Sequence, residues 1–303
     1  MLHDISGFDF IFLSYDEPNA EELYADLLNK VPWAKRVHGV KGFDAAHKEC
    51  ARVSTTDMFV TVDGDNRVHG DFLTLRMDID DTMHDHAWSW NGRNVINGLI
   101  YGNGGLKLWS KRFVDGMCSH ENTRDDQNAV DFCWDERYHD TFGCYSTTVI
   151  NASPYQAFRA GFREGVKLSL NRGQKVHSSE FKRRIWIHNL HKLSIWCSVG
   201  MDVANGEWAI YGARLGLHMT NLTDWDYVAV RDYDWFERFW KERSADDPIR
   251  EAKRLGFDLR SNLGLELADL DPKQSSFFKS VYLNPSSTLY ASNLYSHVLA
   301  SDA

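Results

Sequence analysis

At 303 residues and 43% apolar content, the chain can bury a sizeable core and has the composition of an ordinary globular protein. The opening MLHDISGFDFIFLSYDE lacks a basic leader and Asp9 cuts its apolar run, so it does not read as a secretory signal, and no run approaches membrane-spanning length. A formal net charge of -9 argues against a surface that grips nucleic acid all over, while leaving room for a local basic patch. The five cysteines, Cys50, Cys118, Cys133, Cys144 and Cys197, never form a CxxC pair, and read as incidental thiols of a reducing compartment.

FDFIFLSY (Phe8 to Tyr15) reads as a strand by its aromatic and β-branched content. Asn19 then suits the N-cap of a helix in which Leu23, Leu27 and Leu28 share one face. AKRVHGV predicts a second strand, GFDAAHKECARVS a second helix opening after Gly42, and DMFVTV a third strand ending on Asp63-Gly64-Asp65. Repeated βαβ units predict an α/β domain with a mostly parallel central sheet flanked by helices, and ligands of such sheets bind beyond the carboxyl ends of the strands. Asp78 to Asn94, rich in Asp, His and Trp, reads as a binding loop, and INGLIYGNGGLKLWSK (Ile96 to Lys111) as a glycine-rich loop feeding a strand. PYQAFRAGFREGVKLSLN (Pro154 to Asn171) predicts a helix with Arg159, Arg163 and Lys167 on one face, LSIWCSVG a further strand, and GEWAIYGARLGLHM a helix. Past about Ser244 the composition changes, so residues 1–243 are expected to form the main domain and 244–303 a helical or irregular appendage docked on it.

Asp63 and Asp65 repel each other and each loses solvation where the site is enclosed, so the pair calls for a cation. Oxygen ligands without neighbouring Cys favour a hard ion, Mg2+ or Mn2+, which shares its shell with waters and substrate phosphates, and Gly64 lets both side chains face one ion. Asp-Gly is equally a strong hairpin-turn signal, so a solvated turn is the competing expectation. YGNGG (Tyr101 to Gly105), with Lys107 two residues on, allows close backbone approach to a bulky ligand. Between Phe158 and Arg184 eight Lys/Arg stand against two acids, a cationic segment suited to a diphosphate, a nucleic-acid backbone, or plain solvation.

The order strand, helix, strand, helix, strand, DGD resembles nucleotide-sugar glycosyltransferases of the GT-A fold, whose DxD motif binds a divalent metal and the donor diphosphate. REGVKLSLNR (Arg163 to Arg172) is similar to the GEDxxLSxR segment of family 2 and related enzymes; Glu164 matches the first acid and Gly165 stands where the second would be. FIFLSYDEPNAEE, VPWAKRVHGVKGFDAAHKECARVSTTDMFVTVDGD, NVINGLIYGNGGLKLW, AFRAGFREGVKLS and WCSVGMDVANGEWAIYGARLG together resemble a group of tailed-bacteriophage glycosyltransferases. That group includes enzymes that attach a sugar to 5-hydroxymethylcytosine in DNA.

The resemblance implies a GT-A catalytic domain over 1–243, a Mn2+ or Mg2+ cofactor, a nucleotide-sugar donor such as a UDP-sugar, and hydroxymethylated phage DNA as acceptor in the cytoplasm of an infected host, with no membrane partner. It implies metal ligation by Asp65 and Asp63, with His86 or His218 as a further ligand. Ser14 and Tyr15 would lie at the nucleobase, and His38, Lys41 and Gly42 near the nucleoside and phosphates. Tyr101, Asn103, Gly104, Gly105 and Lys107 would frame the donor sugar, and Glu164 would receive the acceptor hydroxyl proton. Arg159, Arg163, Lys167 and Trp90 are the expected acceptor contacts, with Phe158, Phe162 and Trp186 available for base stacking. A glycan or protein acceptor, and a silent binder of nucleotide-sugars or DNA, are the competing readings.

Overall fold

The computed structural model describes residues 2–117 and 135–282. Two compact units divide the chain: Met1–Asn94 with Ile100–Val149, and Val95–Leu99 with Ile150–Ala303.

In the first unit run β1 (Leu2–Asp4), β2 (Asp9–Ser14), α1 (Ala20–Lys30), β3 (Lys35–His38), α2 (Phe43–Val53), β4 (Met58–Asp63) and β5 (Asn66–Val68). They are followed by β6 (Arg76–Asp78), β7 (Ala87–Asn94), β8 (Ile100–Ser110), α3 (Lys111–Gly116) and β9 (Tyr138–Thr148). β1 and β6 pair as a small ribbon; the main sheet has the order β3-β2-β4-β8-β7-β9-β5. The two βα segments and the third strand expected at the start are present, and β2 runs parallel to β3 and β4. The sheet as a whole is mixed rather than mostly parallel, because β4–β8, β7–β8 and β5–β9 are antiparallel. The reason lies in the connections: only Val95–Leu99 joins β7 to β8, and a parallel crossover needs about a dozen residues.

Strand alternation divides the core of this unit between two faces. Phe10, Phe12, Val60, Val62, Leu106 and Leu108 pack with Leu23 and Leu27 of α1, while Ile11, Val37, Phe59 and Trp109 pack with Cys50 and Ala51 of α2. Each fully buried large side chain contributes about 1.5–3 kcal/mol by leaving water. Asn19 does stand at the N-cap of α1, yet its amide donates to the Val149 carbonyl at 2.8 Å instead of capping the helix.

The second unit is helical where described: α4 (Pro154–Lys167), α5 (Phe181–Arg184), α6 (Ile187–Trp196), α7 (Gly206–Leu222), α8 (Tyr233–Arg243), α9 (Pro248–Leu263) and α10 (Pro272–Tyr282). LSIWCSVG, expected as a strand, closes α6 instead; its short apolar run fits either period, and the helix buries Leu190, Leu193 and Trp196. α4 and α7 cross with backbones in contact. A Cβ on Gly161 would lie 2.0 Å from the Ala209 carbonyl, one on Gly165 2.2 Å from that of Ala213, and one on Gly212 2.2 Å from that of Phe158. Arg214 of α7, 1% exposed, holds the following segment, donating to the carbonyls of Cys197 (2.8 Å), Ala252 (2.6 Å) and Ala268 (2.9 Å) and to Asp269 Oδ1 (2.6 Å). The expected boundary at 243/244 falls between α8 and α9, inside this unit. No helix among the described residues is long and apolar enough to cross a membrane.

Candidate functional site

Three parallel strands, β3, β2 and β4, end side by side, and most of the residues expected to bind a donor lie on or just past those ends. Ser14 closes β2 and is buried, Tyr15 follows it with 46% exposure, and His38 closes β3 as the register partner of Ser14. Lys41 and Gly42 form the entry to α2, where Gly42 takes φ +97°, a left-handed value that favours glycine. Asp63 closes β4. The turn Gly64–Asp65 then leads to β5, which pairs with β9 and not with β4, so Asp-Gly-Asp is not the turn of a hairpin.

Each carboxylate of the motif has a fixed partner. Lys107, on β8 opposite Thr61 of β4, reaches two positions further along β4, to the next residue on the same face, donating from Nζ to Asp63 Oδ2 at 3.1 Å. At 4% exposure this ammonium sits in a low-dielectric setting, where a charge needs a counter-charge. Asn66 donates from its amide nitrogen to Asp65 Oδ1 at 2.6 Å. Its amide oxygen accepts from Gly105 N (3.3 Å), Ser146 Oγ (3.0 Å) and Thr148 Oγ1 (3.3 Å), and because a backbone N–H only donates, the amide orientation is settled. Glu17 completes the edge: it accepts from Tyr15 N at 2.8 Å, and its carboxylate leaves Gly64 no room for a Cβ, which would lie 2.6 Å from Oε2.

Beneath Asp63, on the α2 side of the sheet, His47 is fully buried. Its Nδ1 donates to the Phe43 carbonyl at 3.0 Å, and its ring stacks on Phe43 at 4.0 Å between centroids. Burial, first, and the charge of Lys107 hold its pKa down at about 4 against an ordinary 6.5. Burial, reinforced by the Asp63 charge, pushes the Cys50 thiol far up, which makes it inert. Cys144 and Cys197 are also free thiols; Cys118 and Cys133 lie outside the described residues.

Several expected contacts are placed differently. The segment Ile100–Ser110 is one continuous strand, not a glycine-rich loop. A Cβ on Gly105 would meet the Asn66 amide at 2.1 Å and one on Gly104 the Gly92 nitrogen at 2.4 Å, so these glycines admit the protein's own atoms rather than a ligand. Tyr101 pairs with Gly92 at the irregular end of the β7–β8 ladder, and the side chain of Asn103 lies outside the described residues. Trp90, expected to stack on an acceptor, is 2% exposed and packs edge-on against Phe72; the polar-aromatic stretch around it is β7, a strand covered on both faces where the two tryptophans lie. Phe158 and Phe162 are likewise core, whereas Trp186 is exposed.

Glu164, Arg159, Arg163 and Lys167 all sit on α4 of the second unit. Arg163 is exposed, and Arg159 lies over the rings of Tyr155 and Tyr233 at 5.6 and 5.1 Å. Gly165, in the place of a second acid, faces the α7 backbone, where any side chain would collide. His86 contacts His139 at 2.8 Å and His218 pairs with Asp258 at 3.6 Å. Among the described residues no three His, Cys, Asp or Glu are grouped so as to hold a metal ion. Asp63 and Asp65 alone supply a two-carboxylate oxygen set, which fits a hard ion that completes its shell with water and phosphate oxygens. Sequence reasoning missed Glu17, Arg36, Asn66 and His47. Asn66 carried a signal, an amide directly after the acidic turn; Glu17 lies in the connection from β2 to α1, and Arg36 and His47 lie among ordinary strand and helix residues.

No protein-family model matches the chain, and no curated protein matches it. Among solved structures it is similar to the "crystal structure of a glycosyltransferase involved in the glycosylation of the major capsid of PBCV-1", with 12% identity and a TM-score of 0.28, over 44% of this chain and 82% of that one. A likeness this distant assigns neither fold nor activity.

Proposed function

We propose that the carboxyl edge of β3, β2 and β4 binds a nucleotide-sugar, a UDP-sugar, and that the protein transfers the sugar to the hydroxyl of 5-hydroxymethylcytosine or a related hydroxymethylpyrimidine in phage DNA. One observation carries the donor half of this reading: the Asp63-Gly64-Asp65 turn stands at the end of a parallel strand, outside any hairpin, with both carboxylates oriented by Lys107 and Asn66. Held carboxylates at a ligand edge suit a site that recruits a cation together with a diphosphate. Asp65 and Asp63 would hold Mg2+ or Mn2+, which when bound neutralises charge on the departing nucleoside diphosphate.

The chain's own residues do the rest. Lys107 holds the Asp63 carboxylate in place at 3.1 Å, and Lys41 adds positive charge where α2 begins. The acceptor oxygen bonds to the anomeric carbon as the sugar–phosphate bond breaks, and Glu164 is the residue proposed to take the hydroxyl proton. The acceptor half rests on the sequence resemblance and on the exposed Arg163, which suits a phosphate backbone. Such an enzyme would work in the host cytoplasm, where its DNA and its donors meet.

The test is incubation of hydroxymethylated and unmodified DNA with a panel of nucleotide-sugars and Mn2+, followed by nucleoside mass measurement. A hexose- or pentose-sized gain confined to hydroxymethylated DNA is expected. Donor hydrolysis without a DNA adduct would move the acceptor to a glycan or protein, and no hydrolysis of any donor would remove the transferase reading.

A further inference from the structure

The second unit holds a cleft of about 220 Å3 between α7, α9 and the segment 268–271 ahead of α10. Met201, Ile210, Ile249, Leu270 and Pro272 make most of its wall apolar. A cavity of about 150 Å3 already admits a benzene-sized molecule, so there is room here for a small organic ligand. Every residue that lines the cleft belongs to the second unit, and none is shared with the acidic turn.

Five charged side chains line it, and three of them are committed elsewhere. Arg214 gives its hydrogen bonds to three carbonyls and to Asp269, and Asp269 also faces Arg260 at 3.6 Å. Asp271 caps α10, accepting from Gln274 N at 2.8 Å. The two that are left have opposite sign: Glu207, half-buried in the first turn of α7, and Lys253, exposed on α9. Among the described residues neither has an ion-pair or hydrogen-bond partner for its side chain, so they do not neutralise each other. Ser198 adds a neutral donor. It is 6% exposed, its Oγ accepts from Ala268 N at 3.0 Å, and its own proton has no acceptor among the described residues.

Apolar walls strengthen the field that each unpaired charge sends into the cleft. A simple cation that answers Glu207 is repelled by Lys253, and a simple anion has the reverse difficulty. A neutral apolar molecule satisfies neither charge. A molecule carrying both signs on a hydrocarbon body satisfies both charges and the wall together.

We propose that this cleft binds a free amino acid with an apolar body, its ammonium group at Glu207, its carboxylate at Lys253 and the Ser198 hydroxyl, and its hydrocarbon against Met201, Ile210 and Ile249. No part of this depends on the nucleotide-sugar reading of the first unit.

The test is calorimetric titration of the full chain with two zwitterions: leucine, whose charges share one carbon, and ε-aminocaproate, whose charges stand at the two ends of a chain. Saturable binding of at least one is expected. Masking one charge of the ligand that binds, as its N-acetyl derivative or its methyl ester, should weaken binding about tenfold or more, the loss of a hydrogen bond to a charged group. Glu207→Gln should abolish the discrimination against the N-acetyl form, and Lys253→Met that against the ester, with each variant shown to be folded by its thermal melt. Saturable binding of neither zwitterion overturns the proposal. Binding that the N-acetyl and ester forms match in strength overturns it as well, on the unaltered protein and whatever the variants do. So does full-strength binding, with full discrimination, in both variants.

Discussion

The two units use tightly packed glycines in different ways. At the strand edge of the first unit, Gly64 and Gly105 have no Cβ because polar side chains, Glu17 and Asn66, occupy that space. In the helix pair of the second, Gly161, Gly165, Gly212 and Gly216 have none because the opposite helix's backbone does. A side chain at its flexible end can rotate away from an intruding methyl group, but a helix backbone cannot without parting the two helices. Glycine in the first unit thus arranges charged groups, and in the second it sets how closely two helices approach.

Substitutions separate these uses. Gly165→Ala should give the largest loss: the methyl group gains about 1 kcal/mol of helix propensity and loses more by parting α4 from α7, a net destabilisation of about 2–3 kcal/mol visible in thermal melts. Gly64→Ala should cost less, about 1–2 kcal/mol, because the Glu17 carboxylate can turn aside and only the Ser14 Cβ, 2.9 Å from the new methyl group, must yield. Equal effects at the two positions would erase the distinction. Next in size, Asp65→Ala should leave the melting temperature in place and lower turnover about 100-fold, some 2.7 kcal/mol of transition-state stabilisation. Undiminished turnover would show that the acidic turn is not the donor site.

A pH titration probes the interior of the first unit. The depressed His47 pKa, about 4 against 6.5, means that the unfolded chain binds a proton the folded one refuses below about pH 6.5. The stability contributed by neutral His47 is complete above 6.5 and is lost as pH falls through about 4, so unfolding free energy should drop by about 2 kcal/mol between about pH 7 and about pH 5. His47→Gln should flatten that slope. Asp9 behaves likewise at lower pH: burial raises its pKa, but hydrogen bonds from Lys35 and Thr55 and the Lys35 charge outweigh this and hold it at about 2, so its contribution is lost only as pH falls from 3.8 toward 2. The smallest effect belongs to the second unit. Arg163→Ala with Lys167→Ala should weaken DNA binding uniformly across sequences and reduce the salt slope by about 2. An unchanged slope would take α4 out of the acceptor contact.

Much of the candidate donor site was legible because it lies where local patterns end. Aromatic and β-branched runs gave away β2, β3 and β4, and their ends carry Ser14, His38 and Asp63. The partners were not legible: Lys107 comes to Asp63 from 44 positions away, through strand register rather than any motif. Trp90 and Gly105 misled for a related reason. A tryptophan beside polar residues looks like a binding loop until the strand is seen to be covered on both faces, and a glycine run looks like a phosphate cradle until Asn66 is found filling it. Gly165 is the reverse case, an apparent gap in an acidic motif that the α7 backbone explains.

By itself the sequence determined the alternation β2-α1-β3-α2-β4, the acidic turn at its end, and helices at α4 and α7, since each follows from apolar period, turn residues and caps within a few positions. Tertiary structure alone decided that the sheet is mixed, that Trp90 is core and that Lys107 balances Asp63. Those outcomes depend on which distant segment covers a face or supplies a counter-charge, and that is settled by packing and electrostatics after the local elements have formed.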